Sequence, residues 1–388
     1  MGRRLFSFWR PLPDPAASVR TAQGFPAKAA DPVLQTSTTA GGYWHQLFAF
    51  SNDLPAGLVA TAQTRFNGAL MELLLQRCFD GMFTGAIYAS LALAIVMIYR
   101  STGLLNFAQG EMGLMGGYVA LTLLSPAGST GIGVPIAGTA FLSRWLPLHP
   151  WPTWAAILGA VAFGALLGAA IERFIMRPLA DRSTLSQVNV TIGLLILING
   201  LVFQIWGSFS RRVKSPFPTG KDDYFGIFGA RLRYTTVGVW ATLLVVLVLL
   251  SLLIQNTKTG LAFRAITSNR EGAALVGVPV SRTLTVGWAI ASAIGALAAA
   301  LVGGAITLNP LTMLNLLIYA LAAATIGGLD SPRGAIAGGL IIGLTQSLAP
   351  PYLGIPTELT LLPPLAAMVL ALAVRPHGLF GTVPVNRV

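Results

Sequence analysis

The sequence predicts an all-α polytopic membrane protein, a bundle of about 8–10 transmembrane helices with one short helix on the cytosolic side. Three observations carry this expectation. Of the 388 residues, 54% are hydrophobic and 10% are charged, against about 25% charged in a typical soluble domain. Mean hydropathy is +0.71, and several apolar runs approach the roughly 20 residues that cross a bilayer. The runs are continuous, so they lack the alternation of a closed β-barrel, the other architecture that spans lipid.

The chain justifies these elements in order. Residues 1–70 carry scattered prolines (Pro11, Pro13, Pro15, Pro26, Pro32 and Pro55), several cations, no spanning run and no signal-peptide core. They read as a disordered extension or the product of a mis-assigned start, because Met71 opens MELLLQRCFDGMFTG directly before the first span. The spans are 79–99, 107–124, 151–171, 187–206, 237–254, 284–306, 314–329, 334–349 and 361–374. Residues 132–142 form a further apolar segment, too short for a span and open to a re-entrant or interfacial reading. Small residues recur at helix-packing spacing: Gly113 with Gly117, Gly164 with Gly168, Gly334 with Gly338, Gly339 with Gly343. Such pairs let helix backbones approach closely in lipid.

The polar interruption at 256–282 organises the orientation. It holds Lys258, Arg264, Arg270 and Arg282 against Glu271 alone, and a cation excess in a short loop favours the cytosol. Ser268 or Asn269 caps a short helix over 269–276, Leu275 and Val276 give it an apolar side, and Gly277 with Pro279 stop it. An ordinary connecting loop is the plainer reading. Counting outward puts Arg173, Arg177, Arg182 and Arg375 inside as well. The loop 209–233 then falls outside despite Arg211, Arg212, Lys214, Lys221, Arg231 and Arg233, against the usual bias.

Net charge is +12. In a soluble chain that would suggest nucleic acid, but here orientation and lipid headgroups account for it. Cys78 is the single cysteine and His45, His149 and His377 lie far apart, so neither a disulfide nor a metal site is expected. The chain has no phosphate-binding loop, since Gly220-Lys221 is followed by Asp222, and no nucleophile elbow or zinc-protease motif. An enzyme is not expected, nor a cofactor.

Polar side chains inside spans are the candidate pathway. Asn106, Gln109 and Glu111 open the second span, and a carboxylate at that depth is functional by default unless it is paired. Glu111 has a plainer reading too, a pairing with Arg100 near the interface. Asn106 and Gln109, three apart, share a helix face and suit a polar cavity. In the run 187–206, Asn189 and Thr191 either cap a broken helix whose N–H groups face a carboxylate or make interhelical hydrogen bonds, alongside Asn199 and Gln204.

Four segments carry a family resemblance. GMFTGAIYASLALAIVMIYRSTGLLNFAQGEMGLMGGYVA resembles the opening of LivH-type permeases, the membrane subunits of branched-chain amino acid ABC importers. IERFIMRPL with VTIGLLILINGLVFQIWG is similar to the family's middle, and TGLAFRAITSNREGAALVGVPV resembles its ATPase-coupling loop. AAATIGGLDSPRGAIAGGLIIGL and AVRPHGLFG match its end. One departure is Gln109, where the family usually has His. The resemblance covers nearly everything from residue 72 onward, making 71–388 a permease domain. It implies a multi-pass protein of a prokaryotic inner membrane whose partners are a second homologous permease subunit, two cytosolic ATP-binding subunits and an external substrate-binding protein, with lipid around it. It also implies a coupling-loop site made of Arg264, Asn269, Glu271, Ala273, Ala274 and Gly277, with the small residues seated in a groove of the ATPase. Urea or short amides are alternative substrates within the family, and a stand-alone carrier or channel using Glu111 for an ion is the alternative outside it.

Overall fold

The computed structural model describes residues 56–124 and 151–381. The bundle belongs to the unit Asn67–Val388. The short segment 132–142 and most of the N-terminal extension lie outside the described residues.

All nine expected spans are helical. Helices α1 (Ala56–Thr102), α2 (Gln109–Leu124), α3 (Thr153–Ile171), α4 (Thr184–Trp206) and α5 (Tyr234–Asn256) precede the central loop. The loop itself holds α6 (Lys258–Ser268) and α7 (Arg270–Leu275). After it come α8 (Val280–Ala305), α9 (Thr312–Gly327), α10 (Pro332–Leu353) and α11 (Leu362–Val374). Among the described residues, six segments are long and apolar enough to cross a membrane, on α1, on α3 with the turns that follow it, and on α4, α5, α8 and α10. Helices α2, α9 and α11 are shorter, at 16, 16 and 13 residues.

Helices α1 and α8 form the centre: 83% and 78% of their most apolar stretches are buried within the protein, against 11% for α5. The glycine pairs explain how the bundle closes. Gly113 and Gly117 face Gly295 and Ala299 of α8, and a Cβ on Gly113 would stand 2.8 Å from the Gly295 carbonyl oxygen. Gly164 and Gly168 press α3 on α8 beside α2, Gly334 and Gly338 press α10 on α9, and Gly339 and Gly343 press α10 on α1. At each contact the missing Cβ lets the helices meet through backbone or the first side-chain carbon, so in lipid, where no hydrophobic force drives helices together, dispersion at close range holds the seam.

The loop after α4, expected only as a charged connection at 209–233, holds regular structure. Strands β1 (Tyr224–Ile227) and β2 (Ala230–Arg233) form an antiparallel hairpin. Its two-residue turn has Phe228 at φ 49° and Gly229 at φ 88°, the left-handed pair that a type I′ turn demands. Along β2, Ala230 and Leu232 are buried while Arg231 and Arg233 point to solvent, so part of the loop's anomalous charge is the wet face of a hairpin. Upstream, Arg211 and Leu308 exchange backbone hydrogen bonds of 2.8 and 2.6 Å, fixing the loop to the segment after α8. Because α5 starts at the hairpin and ends at the central loop, these two lie at opposite ends of the bundle.

Candidate functional site

Two regions hold the predicted site residues, a polar cluster inside the bundle and the helical pair in the central loop. The interior cluster starts where α1 ends. Gly103, at φ 72°, turns the chain out of the helix, and residues 104–108 cross without regular structure before α2. Asn106 sits in this turn, not on α2. Its Oδ1 accepts the Ala108 N–H at 3.0 Å, and its Nδ2 donates to Gln109 Oε1 at 3.4 Å. Gln109 in turn donates to the Ala291 carbonyl of α8 at 2.9 Å. The shared helix face is therefore corrected: both side chains are fully buried and spend their hydrogen bonds tying the turn to α2 and α8. The shift follows from Asn106 capping through its own side chain, which favours a turn over a further helical residue.

Glu111 lies in the first turn of α2 and is 1% exposed. Its partner is Asn199 of α4, not Arg100: Asn199 Nδ2 donates to Oε2 at 3.0 Å and to the Pro310 carbonyl at 2.8 Å. The other carboxylate oxygen has no protein partner. One carboxylate thus links α2, α4 and the segment that leads into α9. The first-turn position also places it at the positive end of the helix dipole.

Helix α4 is unbroken, which corrects the capping role given to Asn189 and Thr191. Ser183 caps it, accepting the Ser186 N–H at 3.3 Å. Thr191 is buried, donates back to the Val188 carbonyl at 2.8 Å and accepts the Phe107 N–H at 3.4 Å. Nothing in 184–206 removes a backbone donor, so a polar pair alone does not interrupt the helix. Asn189 is exposed on the outer side.

The loop was expected to hold one helix over 269–276, and it holds two. Thr257 caps α6, accepting the Gly260 N–H at 3.0 Å, and Asn269 caps α7, accepting the Gly272 N–H at 2.9 Å. Phe263 and Ile266 turn inward from α6, an i, i+3 spacing visible in the sequence but outweighed there by the surrounding polar residues. Gly277, at φ 83°, ends the second helix as expected. Arg264, Asn269, Glu271, Ala274 and Gly277 are exposed. Ala273 is not: at 4% exposure it faces the protein itself and is withdrawn from the outward groove-seating set. The outward apolar residues are instead Leu275 and Val276, 87% and 79% exposed. These bare aliphatics close the same short segment that opens with the charged Arg270 and Glu271.

Comparison with known proteins agrees with this architecture. The family model for the branched-chain amino acid transport system permease component matches residues 77–372. The chain is 28% identical over 319 residues to the high-affinity branched-chain amino acid transport system permease protein LivH of Escherichia coli (strain K12), covering 81% of this chain and 97% of that one. It is 26% identical over 318 residues to the corresponding protein BraD of Pseudomonas aeruginosa, covering 81% and 98%. It is 29% identical over 323 residues to the probable branched-chain amino acid transport permease LivH of Methanocaldococcus jannaschii, covering 80% and 96%. No solved structure matches.

Proposed function

The chain belongs to the family of permease components of branched-chain amino acid transport systems, a multi-pass membrane protein and not an enzyme, and on that premise we propose that it forms the transmembrane pathway of an ABC importer for branched-chain or related amino acids. In this reading it pairs with a second homologous permease, receives substrate from an external binding protein, and is driven by two cytosolic ATP-binding subunits. The observation that carries the reading is the α6–α7 pair, which presents Leu275 and Val276 at the end of the bundle opposite the hairpin. A short helix with a bare apolar tip between two spans suits the groove of a soluble motor subunit.

Glu111 is the residue we place in the pathway. A buried carboxylate with one oxygen unclaimed by protein supports this, since such groups within spans mark substrate or ion routes. Asn106, Gln109 and Thr191 shape that region without lining it. Residues 1–70 lie before the matched segment, and we assign them no role in transport: a chain starting at Met71 should insert and transport, and loss of both would overturn this.

The test is co-expression with the candidate ATP-binding subunits and purification through a tag on this chain. Stoichiometric recovery of an ATPase whose hydrolysis rises with loaded binding protein supports the importer. Substrate uptake by this chain alone in proteoliposomes, driven by an ion gradient, would overturn it in favour of a carrier. Binding-protein ligands separate amino acids from urea and short amides.

A further inference from the structure

Helix α3 does not simply stop at Ile171. The chain winds on through one π-turn, Glu172–Met176, and one 3-10 turn, Arg177–Leu179. A π-turn widens a helix at a single point, and such turns concentrate where a side chain has to be aimed. Here it coincides with Glu172, whose side chain is 4% exposed and paired with Arg177 Nη2 at 2.9 Å. Thr285 of α8 completes the cluster. Its hydroxyl donates to the Glu172 carboxylate at 2.5 Å and accepts from Arg177 Nη2 at 2.7 Å. The same Nη2 lies 3.4 Å from the Ser281 carbonyl. Ser281 and Thr285 stand one turn apart at the start of α8, separated from α7 by residues 276–279 alone.

The cluster closes a longer seam. Gly164 and Gly168 precede Glu172 at four-residue spacing and share its helix face. A Cβ on Gly164 would meet the Cβ of Ala296 at 2.7 Å, and one on Gly168 would meet the Cβ of Ser292 at 2.7 Å. On α8 the matching stripe runs Ser281, Thr285, Trp288, Ser292, Ala296, again at helical three- and four-residue steps. Glycine contacts hold the two backbones together deep in the bundle, and the ion pair pins them at the end nearest α7. A buried ion pair adds little stability over an apolar substitute; its best-attested use is to fix register.

We propose that Glu172, Arg177 and Thr285 are the joint through which displacement of α7 becomes movement of the membrane spans, by making α3 and α8 travel as one body. The inference rests on the reading above that α7 receives the ATPase. A push on α7 reaches α8 at its first two turns. If those turns bend away from α3, the push is absorbed at the membrane surface. With Thr285 clasped between the carboxylate and the guanidinium, the first turns of α8 carry α3 with them, and the glycine seam passes the motion down both helices. The three residues are positioning residues and contact no substrate.

The experiment uses the assembled importer in proteoliposomes and measures substrate moved per ATP hydrolysed. Thr285→Val keeps shape and removes the hydroxyl's hydrogen bonds to Glu172 and Arg177; Glu172→Gln keeps shape and removes the charge. Each is expected to assemble with the ATPases and to hydrolyse ATP near the wild-type rate, while substrate per ATP falls about tenfold. Thr285→Ser, which restores the hydroxyl, is expected to recover the wild-type ratio. An unchanged ratio in both variants would overturn the joint, as would failure of both to assemble, which would mark the cluster as a folding element only. If the wild-type chain binds no ATPase, the functional reading itself falls and takes the joint with it.

Discussion

Asn199 donates a single amide nitrogen to the Glu111 carboxylate, 3.0 Å away, and to the Pro310 carbonyl, 2.8 Å away. Eighty-eight residues separate Asn199 from Glu111, yet they settle each other's environment. Removing the amide leaves a buried carboxylate without a protein donor, which costs about 2–3 kcal/mol. Asn199→Leu is therefore expected to lower the melting temperature of the purified protein, and adding Glu111→Gln should recover part of it. Glu111→Gln alone should stay in the membrane. With loss of a substrate contact worth about 1.5 kcal/mol, its uptake should fall about tenfold. Full activity of Glu111→Gln would remove this residue from the pathway.

Leu275 and Val276 are expected to govern ATPase association. Both are almost wholly exposed, so Leu275→Asp with Val276→Asp should leave membrane level and thermal stability unchanged while the ATPase is no longer recovered with the permease. Ala273→Arg should behave differently. Its side chain would enter a buried position, and the α7 fold itself should give way, seen as faster proteolysis of the central loop. Equal stability of the two variants would contradict the assigned orientation of α7.

The glycines divide into two classes with opposite outcomes. Gly168→Val drives a side chain into the Trp288 carbonyl and Ser292 of α8, and overpacking of this kind costs about 1–3 kcal/mol. Gly193 and Gly200 of α4 have nothing within 4 Å of the added carbon. There, Gly→Ala should be neutral or stabilise by up to about 1 kcal/mol through helix propensity. Thermal unfolding of the three variants decides this. A destabilised Gly193→Ala would show that another surface packs on α4.

The two ends of the bundle should label from opposite sides of the membrane. On a Cys78→Ser background, an impermeant maleimide should reach Lys221→Cys only from outside and Arg264→Cys only from the cytosol. Reversed labelling would invert the orientation and place the α6–α7 pair out of reach of any cytosolic motor.

Much of this was legible in the chain because lipid permits so few solutions. Nine continuous apolar runs became nine helices, and four glycine pairs became four close contacts, since backbone satisfaction and close approach are both local demands. The Asn269 cap and the Gly277 stop were likewise local. What escaped was either rotation or distance. Ala273 and Ala274 are neighbours, and only packing decides which one faces inward. The partner of Glu111 sits on another helix. The hairpin at 224–233 was hidden by its own cations, which read as loop because the alternation Ala230, Arg231, Leu232, Arg233 spans only four residues. Helix α4 kept its ladder through Asn189 and Thr191 because a threonine can satisfy its hydroxyl on its own preceding turn.

Only 11% of the most apolar stretch of α5 is buried within the protein, and its 23 residues give it a length of about 34 Å. That slightly exceeds the roughly 30 Å of a typical hydrocarbon core. Arg233 and Lys258 flank it, so neither end slides freely into lipid, and a thinner bilayer is met by tilting. Its last residue passes through Thr257 straight into α6 with no slack between them. A tilt of α5 would therefore pass directly into α6, which makes bilayer thickness one of the quantities that bear on the loop.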